Sequence, residues 1–270
     1  MWFKIIYELN IDKTTMKTLF SFIFTTFIIF SAQAQDEISA QKIIDAINQK
    51  QAVQYDGLTV VGDLDLTELS NKKSNTRNGM NDEYKSIVET PVVFRNCTFR
   101  GDVIAYKNTR ESQGKKILGI NIDGLSGATY SADFQENVVF EDCKFDQSSE
   151  FKYSKFDKVV NFGGSVFSKY ANFKYAKFNS ESSFSNAIFN ASADFKYAKF
   201  RDKSSFENIK YNKNADYKYA EFKRPVSFNN SKFRSYADFK YADFASGSTL
   251  NNTDFGSDAD FKYSNGKRFK

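Results

Sequence analysis

From residue 134 onward the large apolar residues fall on a lattice. They recur at alternating steps of six and five: Phe134, Phe140, Phe145, Phe151, Phe156, Phe162, Phe167, Phe173. The pattern closes every 22 residues and is marked by Phe-Lys-Tyr, which begins at Phe151, Phe173, Phe195, Phe239 and Phe261. Tyr217-Lys218-Tyr219 fills the one gap. Between Phe134 and Phe261 the lattice has 24 positions; 21 are Phe, and the others are Tyr211, Tyr217 and Leu250. On an α-helix, steps of five and six turn through about 140° and 240° and leave no apolar stripe. On a straight strand a five-residue step sends the side chain to the opposite face. A chain that turns a corner after each short strand keeps every lattice residue inward. Four inward positions per period predict four faces per coil, stacked as a solenoid.

Flanking residues agree with this. A small residue stands two positions before each ring, as in Ala171, Ala176, Ser182 and Ala187, then Ala193, Ala198 and Ser204. It shares the inward side with the ring by the two-residue period of a strand, and must be small to fit beside it. The units read Ala171-Asn-Phe-Lys-Tyr175, Ala176-Lys-Phe-Asn-Ser180, Ser182-Ser-Phe-Ser-Asn186 and Ala187-Ile-Phe-Asn-Ala191, with Glu181 and Ser192 as extra residues at alternate corners. These units resemble the pentapeptide-repeat family, whose motif is a small residue, Asp or Asn, Leu or Phe, then two polar residues. The resemblance covers about half the chain, from roughly residue 127 onward. It implies an all-β fold, a right-handed quadrilateral parallel β-helix. The inserted residues make each coil, at about 22 residues, slightly longer than is usual in the family. Leucine-rich repeats have a similar period, but their Leu-x-x-Leu-x-Leu pattern is absent.

The first half reads as a less regular version of the same structure. Val92-Val-Phe-Arg-Asn-Cys-Thr-Phe99 matches Val138-Val-Phe-Glu-Asp-Cys-Lys-Phe145 at its inward positions, so an earlier coil is expected, with residues 100–128 interrupting the lattice. Residues 71–81 and 109–116 are polar and aperiodic, and are expected to be loops. Residues 58–69 alternate well enough to be opening strands. In residues 39–50, Ser39 is a candidate N-cap and Ile43, Ile44 and Ile47 share one helical face. A solenoid end exposes strand edges and raw core, so this helix is expected to be the N-terminal lid. At the other end residues 265–270 are too short for a helical lid. Either Phe269 folds over the last coil, or a second copy covers it and makes a homodimer. The expected organisation is an upstream extension and signal peptide at 1–34, a cap helix region at 35–53, irregular coils with polar loops at 54–128, the regular solenoid at 129–263, and a tail at 264–270.

The expectation of export rests on residues 19–30. They form an apolar run too short for a comfortable membrane span. Met16-Lys17 precedes it and Ala32-Gln33-Ala34 follows, the three parts of a secretory signal peptide, with Met16 as the natural start. Removing residues 1–34 lowers the net charge from +5 to +4. A periplasmic or extracellular address and no stable membrane span after cleavage are expected.

Composition narrows the chemistry. The chain has 30 Phe and 15 Tyr against nine Leu, as a repeated packing position would produce. With no His, the Ser-His-Asp and Cys-His nucleophilic systems are excluded, and a zinc or iron site is not expected. No cofactor is expected, and a charge of +5 does not announce a nucleic-acid partner.

Outward positions supply the candidate sites. A Lys column comprises Lys152, Lys174, Lys196, Lys218, Lys240 and Lys262. Beside it runs a Tyr column of Tyr153, Tyr175, Tyr197, Tyr219, Tyr241 and Tyr263, and on the other flank stand Glu150, Asn172, Asp194, Asp216, Asp238 and Asp260. As a site, this is a groove gripping a polymer through rings and cations, such as an acidic envelope glycan. As plain structure, it is a self-neutralising ladder in which each Lys meets the acid two residues away and the rings stabilise the sheet. A second face runs Lys155, Lys177, Lys199 and then Glu221, Asp243. Cys97 and Cys143 occupy equivalent inward positions. They stack near disulfide distance if the interruption lies within one turn, and stand about 10 Å apart if a further coil separates them.

Three functions compete. The first is a non-enzymatic exported scaffold or binding surface in the cell envelope, with a polysaccharide or a protein as partner. The second is a β-helix enzyme or binder acting on acidic polysaccharide, with Asp216 and Lys218 as the residues to mutate. The third follows from the resemblance: some family members mimic DNA and shield gyrase, which needs a strongly acidic surface and a cytosolic address, opposite to the charge and export read here.

Overall fold

A computed structural model describes residues 36–74, 82–109, 127–256 and 258–265. The signal peptide, the start at Met16, most of both polar loops and the tail with Phe269 lie outside the described residues.

The repeating coils form a right-handed quadrilateral parallel β-helix. One coil shows the plan: Ser149–Glu150 on a first face, Lys155–Phe156 on a second, Val160–Asn161 on a third and Val166–Phe167 on a fourth. Each two-residue strand pairs in parallel with the strand 22 residues on, as Glu150 with Asn172 and Phe156 with Phe178. Among the described residues the four faces carry eight, nine, seven and eight strands in that order, with one antiparallel strand added to the second.

The repeat places each ring over its equivalent. Phe167 stacks on Phe189 at 4.5 Å and 3°, Phe178 on Phe200 at 4.7 Å and 2°, and Phe195 on Tyr217 at 4.8 Å and 3°. Rings of facing columns meet edge-on, as Phe184 and Phe195 do at 5.3 Å and 89°. Small residues fill the gaps between them, with Ala171, Ala176, Ala187 and Ala198 fully buried. Such ladders favour flat, nearly untwisted sheets over the usual strand twist.

Corners are of two kinds. The six-residue steps hold the extra residues. Each five-residue step is closed by a turn such as Ser154 N–H to the Phe151 carbonyl at 3.1 Å. The third residue of that turn has positive φ, as a type II turn requires. At the corner from third to fourth face it is Asn186, Asn208, Asn230 or Asn252, with φ of 54° to 63°. At the corner from first to second face it is Tyr, with φ of 59° to 63°.

The irregular half obeys the same register. Val92 and Phe94 sit beneath Val138 and Phe140, and Val53 and Tyr55 beneath Val92 and Phe94. The lattice runs further than the pattern predicted. Val103 pairs with Ser149, and Ala105 N–H bonds to Glu150 as Phe151 N–H does to Asn172. The coil thus departs only after Ala105 and resumes at Ala132; Ala105 in a ring position erases the aromatic mark. Both polar excursions leave the solenoid between the first and second faces. Their bases are antiparallel stems, Lys73–Ser74 with Glu83–Val88 and Tyr106–Asn108 with Thr129–Phe134. Helix α1, Ala40–Asn48, follows the Ser39 N-cap, whose hydroxyl accepts from Lys42 N–H at 3.4 Å. Its buried Ile43, Ile44 and Ile47 join the core with Val60, Leu64 and Leu66, so the helix closes that end. Before it, Glu37–Ser39 adds a parallel strand on Thr59–Val61, which the helical pattern did not disclose. Among the described residues no helix is long and apolar enough to cross a membrane.

Candidate functional site

The Tyr column stands on the left-handed corner. Consecutive rings, from Tyr153 through Tyr175, Tyr197, Tyr219 and Tyr241 to Tyr263, stack at 4.7–4.8 Å. The middle pairs are parallel within 1°. A left-handed conformation costs a Cβ-bearing residue about 1–2 kcal/mol, and Asn tolerates it better than Tyr. A cross-strand aromatic pair returns about 0.2–1 kcal/mol. The two terms nearly cancel, so stability alone does not select Tyr over the Asn used at the opposite corner.

The Lys column lies against these rings. The ammonium groups of Lys174, Lys196 and Lys218 stand 5.6, 5.5 and 5.4 Å from the centroids of Tyr175, Tyr197 and Tyr219. Cation–π attraction at such exposed positions is worth roughly 0.5–1 kcal/mol. The self-neutralising ladder is not what forms here. The acids use an oxygen to accept the backbone N–H of the Lys two residues on, at 2.8 Å for Asp194 to Lys196 and for Asp216 to Lys218. They therefore brace the corner as Asx turns. Only Lys240 brings its ammonium to its acid, at 3.3 Å from Asp238, while also reaching Asp260 at 3.7 Å. Hydrogen bonds to Tyr236 and Asp238 hold its pKa above the usual lysine range. Among the described residues Lys174, Lys196 and Lys218 make no ion pair. Asp216 is pushed up, chiefly by burial and then by Asp194 and Asp238 above and below it, with the Lys218 N–H working the other way.

On the second face Lys155, Lys177 and Lys199 are in register, two residues beyond the Tyr column. The ridge is thus flanked by lysines on both sides at these levels. The change of sign that follows is satisfied locally: Lys199 pairs with Glu221 at 2.7 Å, and Lys223 with Glu221 at 3.2 Å and Asp243 at 3.7 Å.

Two features escaped the sequence pattern. Tyr106, lifted out by the excursion, extends the Tyr column by one ring, 5.6 Å from Tyr153. The Lys152 ammonium lies 4.5 Å over Tyr106 and donates to its hydroxyl at 3.1 Å. Beside them a groove of about 420 Å³ opens between the hairpin stems and the ridge, lined by Glu83, Lys85, Thr129, Ser131, Tyr153 and Lys177 among others. Tyr106 lies off the 22-residue register and gave no signal. The second feature is a groove of about 570 Å³ on the third face, floored by Ser183, Ser205, Ser227 and Thr249. Their 22-residue spacing was visible in the chain. Among the described residues no three His, Cys, Asp or Glu side chains cluster to hold a metal ion.

Cys97 and Cys143 lie on adjacent coils, because the excursion is inserted within one turn. Both are buried free thiols.

The family model for pentapeptide repeats matches residues 130–177 and 217–265, with nine copies. Residues 178–216, between the two segments, continue the same coils without a break. No curated protein and no solved structure matches the chain significantly. By its repeat and by the coils that the repeat builds, the chain is a pentapeptide-repeat protein.

Proposed function

We propose that the protein is a non-enzymatic, exported scaffold of the cell envelope, and that its Tyr–Lys ridge binds an extended polyanion such as an acidic envelope polysaccharide. One observation carries the reading: the left-handed corner is occupied by Tyr through six successive coils, although Asn serves the equivalent corner opposite. Residues held in sparsely populated backbone regions commonly mark functional surfaces. The row of lysines beside the rings, three of them without ion pairs among the described residues, supplies the charge for an anionic partner. Its repeat of about 4.8 Å per coil suits a polymer better than a small molecule. Export rests on the sequence of residues 16–34.

The test compares residues 35–270 with a variant carrying Lys174→Gln, Lys196→Gln, Lys218→Gln and Lys240→Gln in pull-downs on isolated envelope polysaccharides. Wild type is expected to be retained, to elute with rising salt as screened charges do, and to lose retention in the variant. Equal retention of the two proteins contradicts the proposal.

A further inference from the structure

Cys97 and Cys143 are the only cysteines in the chain. Thr98 and Lys144, the next residues, are parallel partners, and Lys144 N–H bonds to the Cys97 carbonyl at 2.8 Å. The two cysteines therefore stand one above the other on neighbouring strands, with Cα atoms about 4.8 Å apart. That lies inside the roughly 4.4–6.8 Å span of disulfides. Their side chains are also within hydrogen-bond reach of each other. Both point into the core and are 1% exposed.

Their level in the stack matters as much as their distance. The same column carries Leu58 below them and Ser165, Ala187, Ile209, Ser231 and Thr253 above, so the position itself has no need of sulfur. Cysteine occupies only the two levels between which the chain makes its longest detour. From Cys97 to Cys143 is 46 residues, against 22 from Cys143 to Ser165. Closing a longer loop costs more chain entropy, and a cross-link across it stabilises more.

We infer that Cys97 and Cys143 form an intrachain disulfide that staples the first regular coil to the coil beneath it and closes the base of the excursion. The oxidant is a small or enzyme-borne disulfide, acting before the coil closes over the thiols. The Cys97 thiolate attacks one sulfur of that disulfide and expels a thiolate. Cys143, losing its proton, then attacks Cys97 of the mixed disulfide and expels the second thiolate. One S–S bond forms in the protein and one is lost from the oxidant. Two electrons pass to the oxidant, and the two protons end on its thiols. The order of attack follows from the pair's asymmetry. Its contact with Cys143 brings the Cys97 thiol down to about 7, against burial. The same contact, together with burial, pushes Cys143 up. The bond is independent of the binding ridge.

The full chain is reduced, unfolded, and refolded in oxidising glutathione buffer with a disulfide isomerase. It is then quenched in acid, denatured, treated with N-ethylmaleimide and weighed. The expected product carries no maleimide and yields a proteolytic peptide joining Cys97 to Cys143. Reduction then lowers its Tm, but leaves that of a Cys97→Ala, Cys143→Ala variant unchanged. Two maleimides, or one maleimide and one glutathione, overturn the inference. Combining Cys143→Ser with Ser165→Cys places the thiols two coils apart, about 10 Å, and two maleimides are expected; a bond as complete as in wild type overturns the geometric argument. Should the chain not refold, the same labelling of protein translated in the oxidising buffer answers in the same two ways.

Discussion

At Tyr211 and Tyr217 two hydroxyls enter an otherwise apolar stack. Both side chains are fully buried, and the hydroxyls bond to each other. Burial holds both phenols well above their usual range. Each Tyr is therefore tolerable only with its partner. Tyr217→Phe alone strands the Tyr211 hydroxyl and is expected to cost about 1–3 kcal/mol, whereas changing both to Phe restores the lattice at nearly no cost. Chemical denaturation of the two single variants and the double one checks this. A double variant that loses as much as the sum of the singles contradicts it. The lattice made both positions legible as core, but their pairing was not, because they are six residues apart on different faces. The conformation of the Tyr column was equally hidden. Phe-Lys-Tyr placed Tyr153 and its equivalents at a corner, yet only the backbone shows that this corner is left-handed. The acids at 194 and 216 likewise read as partners for lysine ammonium groups, because spacing does not distinguish a side-chain contact from a backbone Asx turn.

At the scale of the element, the unit of stability is one coil and its two neighbours. A two-residue strand has too few hydrogen bonds to persist alone, so its stability comes from the ring it buries and the strands above and below. Phe195 stacks on Phe173 at 4.9 Å and on Tyr217 at 4.8 Å, and meets Phe184 edge-on. Phe195→Ala is expected to cost about 3–5 kcal/mol. Because coils contact only their neighbours, hydrogen exchange should rise in the coils around residue 195 and much less near Phe140. Uniform loss of protection along the stack contradicts that locality. Period and side-chain direction were legible because they repeat. The elements that occur once were not. The strand Glu37–Ser39 has no periodic partner in the chain, and the hairpin stems at Lys73–Ser74 and Tyr106–Asn108 lie in polar sequence whose pairing is set by the strands beside them.

Across the solenoid as a whole, one corner carries structure and the corner opposite carries structure and display. The Asn column completes its turns with side chains suited to positive φ. The Tyr column completes the same turns with stacked rings, lysines beside them, and further lysines on the second face at the levels of Tyr153, Tyr175 and Tyr197. Substituting Asn for Tyr removes backbone strain of about 1–2 kcal/mol per residue and stacking of about 0.2–1 kcal/mol per pair. The fold should therefore be indifferent to the exchange, while the surface is not. The most direct measurement is retention of a Tyr175→Asn, Tyr197→Asn, Tyr219→Asn variant on immobilised acidic polysaccharide, at one ionic strength, beside wild type of equal thermal stability. A variant that folds as well as wild type but is no longer retained is the expected result. Retention equal to wild type would mean that the tyrosines serve only the turns and the sheet, and would contradict the ridge as a binding surface.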